Sequence, residues 1–108
     1  METTEQAPEI YPGYPYKRRV FPAWQAMWNK LRASTEAMQG RALAEAVAGE
    51  HGLSVHTLTH VLARAATAGL LDVTFVPTKM DVERANKATG RVVHFSTTRE
   101  YAHYRIKP

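Results

Sequence analysis

Two predicted helices joined by a very short turn constrain the fold of this chain most strongly. The first covers residues 40–50, and Gly52 ends it because glycine readily adopts the left-handed backbone found at helix C-termini. Its predicted inward side chains are Leu43, Ala46 and Val47. Leu53 follows, and the hydroxyl of Ser54 can then accept a hydrogen bond from a free amide at the start of the next helix. A turn of this length allows the first helix to brace the second.

The helix that begins after Ser54 has one apolar and one hydrophilic face, and it is predicted to run to about residue 68. At about 100° per residue, its inward side chains are Leu58, Val61, Leu62 and Ala65. The opposite face carries small, polar or basic side chains, namely His56, Thr59, His60, Ala63, Arg64 and Thr67. We expect the first face to pack in the core and the second to meet solvent or a partner.

Another helix is predicted earlier in the chain, directly after an N-terminal arm. Residues 1–20 contain prolines, a glycine and three tyrosines without an apolar period, so we interpret them as an extended or disordered arm. The basic residues near its end fit either a solvated tail or a contact to phosphate: Lys17, Arg18 and Arg19. Pro22 then starts a helix over residues 22–34. Its apolar side chains recur at helical spacing and are predicted to be core: Trp24, Met27, Trp28 and Leu31.

The segment after the third helix is predicted to begin a small sheet. Gly69 ends that helix, and residues 70–76 are rich in β-branched and aromatic side chains, which favour a strand. Pro77 is predicted to end this strand. Residues 79–90 fit two interpretations, a short helix capped by Asp81 or a long mobile loop, and the sequence does not decide between them.

The last part of the chain alternates between apolar and polar side chains. Residues 91–96 and 101–106 flank a four-residue loop, as in a hairpin. In the simplest register the buried face is formed by the pairs Val93–Tyr104 and Phe95–Ala102 together with Ile106.

Composition excludes several function classes. The 108 residues contain no cysteine, which rules out disulfide scaffolds, thiolate zinc sites and cysteine nucleophiles and fits a reducing cytoplasm. The sequence has neither a phosphate-binding glycine loop nor a GxSxG elbow, so we expect neither an enzyme nor a cofactor. The longest uncharged run near the N-terminus, residues 20–29, is too short to cross a membrane, and residues 1–15 lack the order of basic and then apolar residues that is typical of a signal peptide. We therefore expect a soluble, cytoplasmic protein.

Positive charge is concentrated after residue 16. The chain has a net charge of +4, and because residues 1–16 hold three Glu and no Lys or Arg, residues 17–108 carry +7. A charge of this sign and size favours polyanionic partners such as nucleic acid.

The five histidines raise the question of a metal site. His56 and His60 stand four residues apart on one helix face, and the hairpin register places His94 opposite His103. However, the segment HTLTH carries Thr where a zinc protease has its Glu, and no carboxylate lies near enough in sequence to complete a tetrahedral set. We therefore predict no metal site. The first pair is predicted to contact a partner, and the second to be surface neighbours.

The stretch ALAEAVAGEHGLSVHTLTHVLARAATAGLLDV, residues 42–73, resembles the core of a winged helix-turn-helix DNA-binding domain. The resemblance rests on the Leu43-Ala44 pair, the Gly52-Leu53-Ser54 turn, Leu58, the Val61-Leu62 pair and the Gly69-Leu70-Leu71 end of the helix. It implies an α+β fold over residues 21–108, with three helices and a small antiparallel sheet, the wing, on the C-terminal side.

The resemblance also implies a site. It assigns DNA contacts to the helix positions Ser54, Val55, His56, Thr57, Thr59, His60 and Arg64 and to the wing cations Lys79, Arg84, Lys87 and Arg91. The early part of this helix has no Arg, Lys, Asn or Gln for bidentate base contacts, so modest sequence specificity is expected.

The function that the resemblance implies is double-stranded DNA binding by a homodimer, in transcription regulation or as an accessory factor in replication or recombination. Two alternatives stay open at this point. One is a winged-helix adaptor that docks a protein partner through its aromatic first helix and tyrosine-rich arm. The other is a metal-responsive regulator.

Overall fold

The helices lie within one or two residues of their predicted bounds. The structure is a computed structural model, and it describes residues 6–12, 14 and 20–108. Its helices over those residues are α1 (Val20–Ala33), α2 (Gly40–His51) and α3 (Val55–Thr67). Both predicted ends of the turn between α2 and α3 are confirmed. Gly52 has a φ of 62°, and Ser54 Oγ accepts a hydrogen bond of 3.1 Å from Thr57 N.

The core is formed where the apolar faces of the three helices meet. Its largest fully buried side chains are Trp24, Met27, Leu31, Leu43, Val47, Leu58, Val61 and Leu62. The aromatic stripe of α1 is therefore core, as predicted. One inward position was wrong, because Ala46 is exposed whereas Ala44 and Ala48 are buried. The buried face of α2 therefore includes Ala44 and Ala48, which the spacing of Leu43 and Val47 did not indicate.

A three-stranded antiparallel sheet, whose first strand lies between α1 and α2 and whose other two follow α3, confirms the α+β class with a winged helix-like arrangement. Its strands are β1 (Met38–Gln39), β2 (Leu71–Ala85) and β3 (Val92–Ile106), in the order β1–β3–β2. The short β1 pairs only with His103 and Tyr104. Beyond that point β2 and β3 continue together as a two-stranded ribbon, and the molecule measures 60 × 28 × 28 Å.

The hairpin predicted within residues 91–106 is wrong. These residues form the single strand β3, which pairs with β2 along its whole length. The true partners differ from the predicted ones and are Val93–Arg84, Phe95–Val82, Ala102–Phe75 and Tyr104–Val73. Val93 and Phe95 are exposed rather than buried. The physical reason is that residues 97–100 contain no glycine, proline or asparagine to turn the chain, so the strand runs through them.

Pro77 does not end β2, contrary to prediction, and pairs with Glu100 inside the strand. Proline is tolerated here because β2 is an edge strand of the sheet.

The segment 79–90 is neither a helix nor a long mobile loop, since β2 continues to Ala85. A tight turn follows, in which Asn86 N donates to Arg91 O (2.8 Å) and Gly90, with a φ of 68°, donates its N–H to Asn86 O (2.8 Å).

Part of the predicted N-terminal arm packs on the helical core rather than being disordered. Ala7 and Ile10 are buried. Trp24 Nε1 donates to Pro8 O (2.9 Å), and Ala7 N donates to Gln25 Oε1 (2.7 Å), so α1 holds this segment by two hydrogen bonds. The basic residues predicted to end the arm, Lys17, Arg18 and Arg19, lie outside the described residues. The domain boundary near residue 20 stays a prediction.

Candidate nucleic-acid interface

The hydrophilic face of α3 lies on the surface. His56, His60 and Arg64 are all exposed, while the opposite face of the same helix is buried from Leu58 to Ala65. Within the part of the chain that the structure describes, no other element covers these three side chains. The face is therefore available to a partner along just over two helical turns, about 12 Å.

The two histidines of this face contact each other and keep their polar atoms free. Their ring centroids lie 4.4 Å apart in an edge-to-face arrangement with an interplanar angle of 70°. No described residue accepts or donates a hydrogen bond to His56 or His60 through the imidazole nitrogens. Each ring therefore retains one donor and one acceptor in its neutral form, which matches the mixed pattern of groups on base edges.

The side chains at the other predicted DNA-contact positions of α3 form hydrogen bonds within the helix or pack on the core. Ser54 Oγ caps the helix and lies 2.8 Å from Thr57 Oγ1, so these two hydroxyls bind each other. Thr59 Oγ1 donates to His56 O at 2.9 Å. Val55 is half-buried and packs against the hydrophobic core. Among the residues that the structure describes, the side chains of His56, His60 and Arg64 form no hydrogen bond, and Arg64 contacts the ring of Tyr14.

A tyrosine pair borders this face, which the sequence did not indicate. The guanidinium carbon of Arg64 lies 5.7 Å from the ring centroid of Tyr14, and Tyr14 stacks on Tyr11 with centroids 4.7 Å apart. A small turn holds the pair, since Tyr14 N donates to Tyr11 O (2.8 Å) and Ile10 N to Tyr14 O (2.9 Å). The contact joins residues fifty positions apart, so no local pattern could have revealed it.

The environment of Tyr14 raises the pKa of its phenol. Burial is the main cause that raises the pKa of Tyr14, the Arg64 guanidinium partly opposes it, and Tyr11 adds to it. A neutral phenol remains a hydrogen-bond donor at physiological pH. Tyr14 therefore extends the candidate surface with a donor next to Arg64.

The four predicted wing cations do not lie together. In an antiparallel ribbon, paired residues share a face and successive pairs alternate between faces. Lys79 shares its face with Asp81, Glu83 and Glu100, whereas Arg84 lies on the other face. Lys87 and Arg91 lie in the turn region.

Arg99 is the functional candidate that sequence reasoning missed in the wing. It pairs with Thr78 and so lies on the same face as Arg84. The Arg84 guanidinium carbon lies 5.9 Å from the ring centroid of Phe95 on that face. This face of the outer ribbon, defined by Arg84 and Arg99, holds no acidic residue beyond Thr78, so it is the more basic of the two. We call it the basic face.

A shallow crevice connects α3 with the ribbon. Its lining residues are Ala63, Ala66, Thr67, Val73, Phe75 and Tyr104. Phe75 is 61% exposed, and its ring therefore lies on the surface beside α3. The helix and the start of the ribbon thus form one continuous surface.

The predicted histidine pair on the hairpin does not exist. His94 lies opposite Glu83 and His103 opposite Thr74, because the register differs from the predicted one. Within residues 6–12, 14 and 20–108, no group of three or more His, Cys, Asp or Glu side chains could hold a metal ion.

Trp24 and Trp28 of the first helix are both buried, so these two side chains cannot contact a partner in the folded protein. Tyr11, in the arm, is 44% exposed and remains accessible.

Among the described residues, no helix combines the length and the apolar character that a membrane crossing requires. Comparisons of the chain with protein-family models, with curated proteins and with solved structures give no significant match.

Proposed function

We propose that the protein binds double-stranded DNA, with α3 in the major groove and the β2–β3 ribbon along the neighbouring phosphate backbone. The observation that carries the proposal is the exposed face of α3, on which His56, His60 and Arg64 are uncovered. A helix of ordinary diameter fits the major groove, and a following β-hairpin can reach the adjacent backbone or minor groove. The role that fits is cytoplasmic transcription regulation or accessory work in replication or recombination.

The residues have different proposed roles. Arg64, at the end of the exposed face, contacts a phosphate or a guanine, and the histidines meet base edges. In the ribbon, the proposed phosphate contacts are Arg84 and Arg99 of the basic face. This face is opposite to the one that borders α3 at the start of the ribbon, so these contacts require the twist of the ribbon to turn the basic face toward the DNA. Lys87 and Arg91 in the turn add charge, whereas the acidic neighbours of Lys79 make it a weaker contact. Because the base-reading set has no Asn, Gln or Lys, recognition is sequence-tolerant to moderately specific.

The proposal is tested by measuring retention on immobilised duplex DNA over a range of salt concentrations. Each phosphate contact contributes about 0.9 to the slope of log affinity against log salt. We expect binding at low salt and a slope of several units, as for a protein with several cationic contacts. Weak retention with little dependence on salt would contradict DNA binding and would favour a protein partner docked on the arm at the exposed Tyr11.

Arg64→Ala and His60→Ala should have different effects on DNA binding. Removing the arginine should weaken binding to all duplexes roughly tenfold and lower the salt slope by about 1, because a charge-assisted phosphate contact is lost. Removing the histidine should weaken binding to duplexes selected from a random pool more than binding to random ones, because a base contact is lost. The measurement is a titration of both variants with both kinds of duplex.

Lys30→Ala is the matched control, since it removes the same charge from the exposed surface of α1. It should lower affinity much less than Arg64→Ala. Equal losses for Arg64→Ala and Lys30→Ala would show that only net charge matters, and equal losses for His60→Ala on both kinds of duplex would remove its reading role.

A further inference from the structure

The outer edge of β3 is open. β1 pairs only with His103 and Tyr104, so among the described residues no strand lies beside residues 92–102 on the side away from β2. An open edge presents unpaired backbone N–H and C=O groups, and natural proteins usually protect it. Here the side chains are mostly β-branched or aromatic, and Val92, Val93 and Phe95 are 47%, 53% and 40% exposed. The unpaired backbone groups of this edge are therefore available for hydrogen bonds to another strand.

We propose that two copies of the chain associate through these edges in antiparallel fashion, with Thr97 facing Thr97 of the partner subunit on the two-fold axis. The result is a continuous sheet of order β2–β3–β3–β2 across the dimer. Isologous pairing of this kind is the commonest symmetry of soluble oligomers. The proposal does not depend on DNA binding.

Backbone geometry limits the registers that are possible for this pairing. Proline has no N–H, so the Pro77–Glu100 pair fits only as a non-hydrogen-bonded pair of the ribbon. In such a pair the N–H and C=O of Glu100 point away from β2, toward the open edge. The same holds for every second residue of β3, including Ser96 and Thr98. For hydrogen bonds to form between the two copies, these outward-facing residues must pair with outward-facing residues of the partner. Because they are every second residue, the two-fold axis must pass through a residue and not between two residues.

The length of the open edge selects the centre. Residues 92–102 are free, and their midpoint is Thr97. A register centred there pairs every free residue with a free residue of the partner and stops where β1 begins. A shift in either direction leaves unpaired backbone at one end or collides with the pairing of β1 to His103.

Side-chain complementarity favours the same centre. His94 lies opposite the partner's Glu100, Phe95 opposite the partner's Arg99, and Val93 opposite the partner's Tyr101. The three contacts are a histidine–carboxylate pair that can form a hydrogen bond, a cation–π pair and an apolar pair, and each type can stabilise when directly cross-strand. Each occurs twice because of the symmetry. A register centred one residue earlier would place Val92 opposite the partner's Glu100 and Val93 opposite the partner's Arg99.

The edge of β2 is a poorer site for a second copy. Pro77 lies near the middle of that strand and leaves a gap in its row of outward N–H groups, and Lys79 follows two residues later. Proline and lysine on an edge strand oppose edge-to-edge pairing. The two edges of one ribbon therefore differ, and only that of β3 is free of proline.

Oxidative cross-linking of the full chain tests the register. The protein has no cysteine, so a single introduced cysteine can form a disulfide only with its copy. Thr97→Cys should convert to a disulfide-linked dimer, because Cα atoms in a non-hydrogen-bonded pair lie about 4.5 Å apart, within disulfide range. Ser96→Cys should stay reduced, because its copy lies diagonally at about 7–8 Å. Equal cross-linking of the two variants would overturn the register.

Sedimentation measures the association without cross-linking. Thr98→Pro removes one outward N–H from each copy and keeps the β2–β3 pairing, so it should raise the dimer Kd by about tenfold or more. Lys79→Pro, directly opposite on the ribbon, removes an outward N–H from the other edge and should leave the Kd unchanged. Circular dichroism of both variants checks that they fold. A wild-type chain that stays monomeric at its highest soluble concentration would refute the proposal, as would a dimer equally sensitive to both prolines.

Discussion

Trp24→Ala should lower the free energy of unfolding by about 3–5 kcal/mol, the usual range for truncating a large buried aromatic side chain. Trp24 is 0% exposed and lies at the centre of the core. Its Nε1 also holds the N-terminal segment through Pro8 O. Because small domains are stable by only about 5–15 kcal/mol, this single change should remove a large part of the total. Urea denaturation followed by circular dichroism gives the value.

The two tryptophans of α1 provide a control for the hydrogen bond. Trp28 Nε1 is buried and has no hydrogen-bond partner in the described part of the chain. Trp28→Phe therefore removes an unsatisfied donor, whereas Trp24→Phe leaves Pro8 O without its donor. We expect Trp24→Phe to be the more destabilising by about 1 kcal/mol. If Trp28→Phe cost as much or more, the bond from Trp24 to Pro8 would contribute nothing to stability.

Gly40→Ala should destabilise the protein by about 1–3 kcal/mol, the usual cost of forcing extra volume into a packed site. A Cβ atom at Gly40 would lie 2.5 Å from Tyr104 Cε2 and 3.0 Å from Cδ2. The Tyr104 ring is buried and cannot move aside freely, since it packs in the core cluster. The expected direction is opposite to the ordinary effect of this substitution, because alanine normally favours a helix. Thermal unfolding measures the change.

Gly49→Ala is the matched control in the same helix. A Cβ atom at Gly49 would meet nothing within 4 Å. It should stabilise by about 0.5–1 kcal/mol through reduced freedom of the unfolded chain. Stabilisation by both substitutions would mean that the Tyr104 ring does not restrict the start of α2.

The helices could be predicted from the sequence because their signals are local. The apolar spacing of α1, the glycine that ends α2 and the serine that caps α3 each act within a few residues. The ribbon could not be predicted in the same way. The alternating pattern predicts a loop at residues 97–100, although the stronger turn signal lies at Asn86 and Gly90. Pro77 predicts the end of a strand, but an edge strand accepts it.

In the candidate site, too, the parts that depend on local sequence signals were predictable and the parts that depend on distant contacts were not. The exposed face of α3 follows from helical periodicity, so the placement of His56, His60 and Arg64 on the surface was predictable. The separation of Lys79 from Arg84 and the addition of Arg99 depend on strand register, which a sequence fixes only through distant contacts. The stacking of Tyr14 near Arg64 depends on how the N-terminal segment crosses α1 and α3, and no local pattern encodes that path.

The projection of the ribbon beyond the helices has a consequence for local unfolding. An isolated two-stranded hairpin is only marginally stable in water. In a monomeric chain, the amides near Tyr104 should therefore exchange with deuterium only when the whole domain opens, whereas those near Val92 should exchange through fraying of the hairpin tip. The two ends of a single strand would then belong to different cooperative units, and the amides near Val92 would be less protected than those near Tyr104.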